Sequence, residues 1–190
     1  HKLGTLLASN KIKIDETATN QSISTYHPTL TDGIHSIQVR AIDNAENSSP
    51  WSNTITVQID TIAPTGSISI ENDDQYTNSQ QVLVVLPSSD PGGSGVTDYS
   101  LSLDGETWGP WQSSPSTNTT SISSGDGEKT VYVKYRDQAQ LESIPYSDTI
   151  ILDETKPETV ELSSPTNAQI IVDFTPQMSW SSASDTTSGV

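Results

Sequence analysis

Apolar residues in this chain come in short runs that alternate with polar ones, the period of a half-buried β-strand rather than of a helix. Tyr99, Leu101 and Leu103 alternate with Ser100 and Ser102 and run into the turn signal Asp104-Gly105. Val131, Val133 and Tyr135 alternate with Tyr132, Lys134 and Arg136. Val82 to Leu86 is a continuous apolar run, as expected of a buried strand. Ser67-Ile68-Ser69-Ile70 and Ile150-Ile151-Leu152 supply a first and a last strand. The intervening stretches Asp90-Pro91-Gly92-Gly93-Ser94-Gly95 and Gly125-Asp126-Gly127 have turn composition. No segment sustains helical spacing, so the pattern predicts an all-β fold of thin sandwiches.

The same pattern occurs twice. Asp32-Gly33 through Ile42-Asp43 aligns with Asp126-Gly127 through Arg136-Asp137, 94 positions on. Trp51-Ser52-Asn53-Thr54-Ile55 aligns with Tyr146-Ser147-Asp148-Thr149-Ile150, and Asp60-Thr61-Ile62-Ala63-Pro64 with Asp153-Glu154-Thr155-Lys156-Pro157. Met178-Ser179-Trp180, Asp185 and Ser188-Gly189-Val190 align with Leu83-Val84-Val85, Asp90 and Ser94-Gly95-Val96. A unit of roughly 93 to 95 residues is the size of an immunoglobulin-type sandwich. The expected organisation is the later part of one repeat in 1–60, a complete repeat in 61–155, and the opening of a further repeat in 156–190. Incomplete sandwiches leave open sheet edges, so their missing strands are expected from a neighbouring copy or from continuing polypeptide.

These residues resemble the immunoglobulin-like and fibronectin type III-like repeats of bacterial and archaeal surface proteins. Gly33, Ile37, Val39, Ala41 and the following Asp43-Asn44-Ala45-Glu46-Asn47-Ser48, with Trp51-Ser52, look like the penultimate strand, its turn and the start of the last strand. Asp60-Thr61-Ile62-Ala63-Pro64-Thr65 looks like the junction between such repeats, and Trp180-Ser181 with Ser188-Gly189-Val190 like the early tryptophan strand. The resemblance implies tandem immunoglobulin-like β-sandwich repeats at the cell surface or outside the cell. Its implied role is a semi-rigid spacer or polymer subunit in a stalk, surface layer, adhesin or filament, with neighbouring repeats or copies of the chain as partners. The alternative is a carbohydrate-binding accessory module of an extracellular hydrolase.

Composition narrows the partners. The net charge of −16 repels nucleic acid and anionic membranes. No apolar run approaches the roughly 20 residues that cross a bilayer. The hydrophobic fraction is 31% and Ser and Thr exceed a quarter of the chain, which fits several thin cores better than one deep core. There is no cysteine, which excludes a disulfide scaffold.

Such acidity suits divalent cations, high salt or simple solubility; among cofactors calcium is the candidate, since a hard cation takes six to eight oxygen donors. Asp43, Asn44, Glu46 and Asn47 cluster in one turn, and Asp60 is expected to join them from the same end of the sandwich. Asp73-Asp74 and Asp90 are further acidic loop positions. Asp and Asn also close tight turns on their own backbone, and Gln138-Ala139-Gln140-Leu141 in the second copy lacks the cluster, which favours that role. Trp108 and Trp111, with Tyr99, are candidates to stack on surface glycans, against a role in core packing. Asn20, Asn47 and Asn118 fit the N-glycosylation pattern. His1, His27 and His35 lack metal-ligand spacing, and Gly93-Ser94-Gly95 lacks the context of a nucleophile elbow. No carboxylate pair stands out as acid and base, so no enzyme is predicted.

Overall fold

Alternation puts every second side chain of a strand on one face, and in the longest strand that face is sealed from solvent. Along Gly127–Asp137 the residues Val131, Val133, Tyr135 and Asp137 are all fully buried, while those between them are partly exposed. In a computed structural model of the chain, described for residues 9–14, 17–21, 27–43, 45–113 and 116–190, the ordered elements are almost all strands.

Strands β1 (Ser9–Ile14), β2 (Thr17–Gln21), β3 (Gly33–Ile42) and β4 (Ile55–Ile59) form an antiparallel sheet in the order β2-β1-β3-β4. The strands after them are β5 (Thr65–Gly66), β6 (Ser69–Ile70), β7 (Tyr76–Thr77), β8 (Gln81–Val85) and β9 (Ser88–Ser89). They continue as β10 (Val96–Ser102), β11 (Gln112–Ser113), β12 (Thr117–Ser121), β13 (Gly127–Asp137) and β14 (Tyr146–Leu152). The last two are β15 (Leu162–Ser164) and β16 (Ser179–Trp180), which pair with each other.

One sheet runs β12-β8-β6 and another β11-β10-β13-β14-β7, with β7 parallel to β14. An immunoglobulin-type sandwich places its A, B and E strands in one sheet and its C, F and G strands in the other. Here β6, β8 and β12 take the first three places, and β10, β13 and β14 the second three. The fold is therefore an all-β, immunoglobulin-like sandwich.

The chain divides into two compact units that interleave in sequence: His1–Thr65 with Ser88–Tyr99 and Tyr135–Ile144, and Gly66–Pro87 with Ser100–Lys134 and Pro145–Val190. The second unit holds the aliphatic core of Ile70, Val82, Val84, Leu86, Val131, Val133, Ile150 and Leu152. Asp148 faces inward among these and accepts the Ile70 N–H at 2.7 Å, which satisfies both groups. In the first unit Tyr99 and Tyr135 are buried, while Ile34, Val39 and Ile55 of its sheet are exposed. His35 is buried there and its Nε2 lies 2.7 Å from the Thr31 carbonyl oxygen.

A core this thin gives each aliphatic side chain weight. Leu152→Ala is expected to cost about 2–5 kcal/mol in urea unfolding, because a cavity is added to lost burial. Leu162→Ala, at a side chain 61% exposed, is expected to cost less than about 0.5 kcal/mol.

Candidate metal centre

The turn after β3 and the turn after β13 are built the same way. In the first, Asp43 Oδ1 accepts the N–H groups of Ala45 and Asn47, at 2.9 and 2.8 Å. The Glu46 N–H donates to the Asp43 carbonyl at 3.0 Å, with Glu46 itself at φ 67°. In the second, Asp137 Oδ1 accepts the Leu141 N–H at 2.9 Å, the Gln140 N–H donates to the Asp137 carbonyl at 3.2 Å, and Gln140 sits at φ 70°. Ser49 Oγ accepts the Ala41 N–H, and Ser143 Oγ the Tyr135 N–H, both at 3.0 Å. A short polar side chain that reaches its own backbone is what lets a residue without glycine's freedom hold this turn.

The two aspartates differ in what surrounds them. Asp43 is exposed, and its Oδ2 accepts Asn47 Nδ2 at 3.0 Å. Asp137 has no exposed surface, and its Oδ2 accepts no hydrogen bond. It meets Asp60, which follows β4, and Asp90, in the loop after β9. Carboxylate oxygens of the three lie within 4.8 Å of one another.

The loop carrying Asp90 is shaped around this point. Asp90 Oδ2 accepts the Gly95 N–H at 2.7 Å, while Oδ1 is buried without a donor. A Cβ at Gly93 would stand 2.3 Å from Asp90 Oδ1, so no other residue fits there without moving the carboxylate. Gln58 Nε2 donates to the Gly93 carbonyl, the Gln138 N–H to the Gly95 carbonyl, and the Ala139 N–H to Ser94 Oγ. Asp60 accepts the Ile62 N–H at 3.2 Å on Oδ1 and the Ser94 N–H at 2.7 Å on Oδ2. The Ser94 side chain, followed by the Ser94 and Ile62 backbone, holds the Asp60 carboxyl below the usual carboxylate range. Arg136 precedes Asp137 on β13, but its guanidinium pairs with Asp98 at 3.0 Å. A cleft of about 380 Å³, lined by Gln58, Ile59, Asp60, Ser94, Gln138 and Ala139, opens beside the carboxylates.

Two of these aspartates recur in the second unit. Asp153 and Asp185 stand at the positions aligned with Asp60 and Asp90, and their side chains meet. Asp185 Oδ1 accepts the Thr187 and Ser188 N–H groups at 2.9 and 3.0 Å, and its Oδ2 is buried without a donor. Those backbone donors hold the Asp185 carboxyl below its usual range. Asp153 Oδ1 accepts the Thr155 N–H as Asp60 Oδ1 accepts that of Ile62.

The expected ligand cluster is redistributed. Asp60 does not join Asp43, because Ile59 pairs with Gly33 at one end of β3 and Asp43 follows Ile42 at the other. Ten residues of strand separate those ends by about 33 Å. Asn44 lies outside the described residues, and Asn47 is committed to Asp43. Trp108 and Trp111 are half-buried, and Lys134 Nζ covers one face of Trp108 at 4.6 Å from its ring centre. Tyr99 is a core residue and does not join them in an exposed platform. Asn118, on β12, stands opposite the buried Val84 of β8 and is half-buried. Asn20 lies in β2, and Asn47 is exposed. The arrangement offers oxygen donors to a hard cation.

The sequence matches no protein-family model and no curated protein. Solved structures similar to it include the PKD1 domain of Vibrio anguillarum Epp, at 16% identity over 48% of this chain and 95% of that one, TM-score 0.36. The fibronectin(III)-like modules of Clostridium thermocellum CbhA match at 15% identity over 80% and 82%, TM-score 0.40. The central fibronectin-III array of RIM-binding protein matches at 13% identity over 88% and 67%, TM-score 0.33. Likeness at this level carries no argument by itself; the strand order does. Among the described residues no helix is long and apolar enough to cross a membrane.

Several loop carboxylates are held below their usual range by hydrogen bonds. Asp104 is held well below it by the Thr107 and Glu106 N–H groups and the Ser102 hydroxyl, and Asp126 is held below it by the Thr155 hydroxyl and the Glu154 N–H. Their stabilising effect is complete above the unfolded-state value of about 3.9 and is lost as pH falls toward the lower folded-state values. Urea midpoints are therefore expected to be flat from about pH 5 to 7 and to fall below about pH 4, with a shallower fall in Asp104→Ala.

Proposed function

We propose that this chain is a structural module of an extracellular tandem array, acting as a semi-rigid spacer or polymer subunit and not as a catalyst. The observation that carries the reading is a clamp that occurs twice at the repeat spacing. Asp32 accepts the N–H and hydroxyl of Thr61, at 3.1 and 2.9 Å from Oδ1. Asp126, 94 positions on, accepts the Glu154 N–H at 2.7 Å and the hydroxyl of Thr155. Each clamp ties the segment leaving a last strand to the loop that opens the preceding one. Proline two or three residues later, Pro64 and Pro157, fixes φ and restricts the residue before it. A connector fastened in this way bends less than a free linker, which is the property a spacer needs.

The net charge of −16 keeps such an array soluble and discourages lateral collapse. The neighbours it works with are then further repeats or copies of the same chain. The acidic surface and clamped connectors suit a stalk, surface layer or filament outside the cell.

Small-angle scattering on a polypeptide carrying two copies of this sequence in series tests the reading. A strand of 11 residues spans about 36 Å, so the maximum dimension should grow by about 35–40 Å per repeat. Growth with the 0.38 power of chain length, as for a compact globule, would contradict it. Asp126→Ala is expected to broaden the distance distribution without changing strand content.

A further inference from the structure

We propose that Asp60, Asp90 and Asp137 are the protein ligands of a calcium ion. The site goes beyond the spacer role and stands whether or not that role holds.

The first ground is burial without a partner. Asp137 is fully buried and its Oδ2 accepts nothing; Asp90 Oδ1 is likewise buried and without a donor. Buried carboxylate oxygens are almost always hydrogen-bonded, so two orphans on carboxylates of one cluster call for a partner that supplies positive charge. On β13 the Arg136 guanidinium pairs with Asp98.

The second ground is spacing. Calcium binds oxygen at 2.3–2.6 Å, so two ligands on opposite sides of one ion stand up to about 5 Å apart. The three carboxylates offer oxygens within 4.8 Å of one another, inside that sphere. Magnesium, at 2.0–2.1 Å, needs a tighter octahedron, and zinc prefers nitrogen and sulfur donors that this group lacks.

The third ground is preorganisation. The N–H groups of Leu141, Gly95, Ser94 and Ile62 each donate to one of the three carboxylates, and Asp137 Oδ2 and Asp90 Oδ1 stay without a donor. Fixed outer partners of this kind orient metal ligands. The cleft beside Asp60 provides an entry path and room for water to complete the coordination. Asp153 and Asp185 stand at the aligned positions, and Asp185 Oδ2 is likewise buried without a donor.

The ion would join three segments far apart in sequence: the end of β4, the loop after β9 and the end of β13. The test is calorimetric titration of the whole chain with calcium chloride, with melting followed in calcium and in EGTA. Saturation at about 100 times Kd is expected to raise Tm by roughly 5–10 °C, reversed by EGTA. Asp90→Asn and Asp137→Asn should each weaken binding at least about tenfold, while Asp43→Asn leaves it unchanged. Should Asp137→Asn fail to fold, Asp90→Asn, at a half-buried loop position, decides the matter alone. Absence of a binding heat and of a Tm shift at millimolar calcium would overturn the site. So would undiminished affinity in Asp90→Asn, or equal stabilisation by magnesium chloride.

Discussion

A carboxylate buried at the end of a central strand is the constraint around which one end of this sandwich is arranged. Asp137 continues the inward series of Val131, Val133 and Tyr135, so the pleat itself carries an acidic side chain to full burial. Carboxylate oxygens of Asp60, Asp90 and Asp137 lie within 4.8 Å of one another, and Asp137 Oδ2 and Asp90 Oδ1 are buried without a donor. A buried acidic oxygen left unmatched is costly, and a cation held among the three would match it.

The rest of that corner is fitted to this charge. A side chain at Gly93 would displace the Asp90 carboxylate, and Gly95, at φ 91°, turns the loop so that its N–H reaches the same carboxylate. Gln138 and Ala139, just past Asp137, donate back to the Gly95 carbonyl and to Ser94 Oγ. Asp60 leaves β4 and is met by the Ser94 N–H. The loop chemistry is thus spent on position and charge. An ion bridging three segments would stiffen what hydrogen bonds alone leave breathing.

Much of the fold was legible because strand alternation is local. Tyr99–Ser102 and Val131–Tyr135 are legible from period-two spacing and turn residues, and Val82–Leu86 from its unbroken apolar run; strands cover all of these but Leu86. Leu103 falls outside its strand and is exposed, since the Ser102 hydroxyl donates to Asp104 in the turn. The site was less legible. Density of acidic residues singled out the turn at Asp43, whose carboxylate is consumed by its own backbone. A better signal was present: Asp43 and Asp137, Asp60 and Asp153, and Asp90 and Asp185 are each kept across the repeat spacing, while Asn44, Glu46 and Asn47 are not. Which kept aspartates meet depends on long-range packing that pairs residues 60, 90 and 137, and no local pattern carries that.

Amide hydrogen exchange on the whole chain, read residue by residue with calcium and with EGTA, tests the central claim most directly. Protection at Ser94, Gly95 and Leu141, whose N–H groups hold the three carboxylates, should rise about tenfold or more in calcium if closing the site adds about 1.4 kcal/mol or more to local opening. The turn amides of Ala45 and Asn47 at Asp43 should not respond. Equal protection of Ser94, Gly95 and Leu141 in both conditions would contradict the claim that an ion organises this corner.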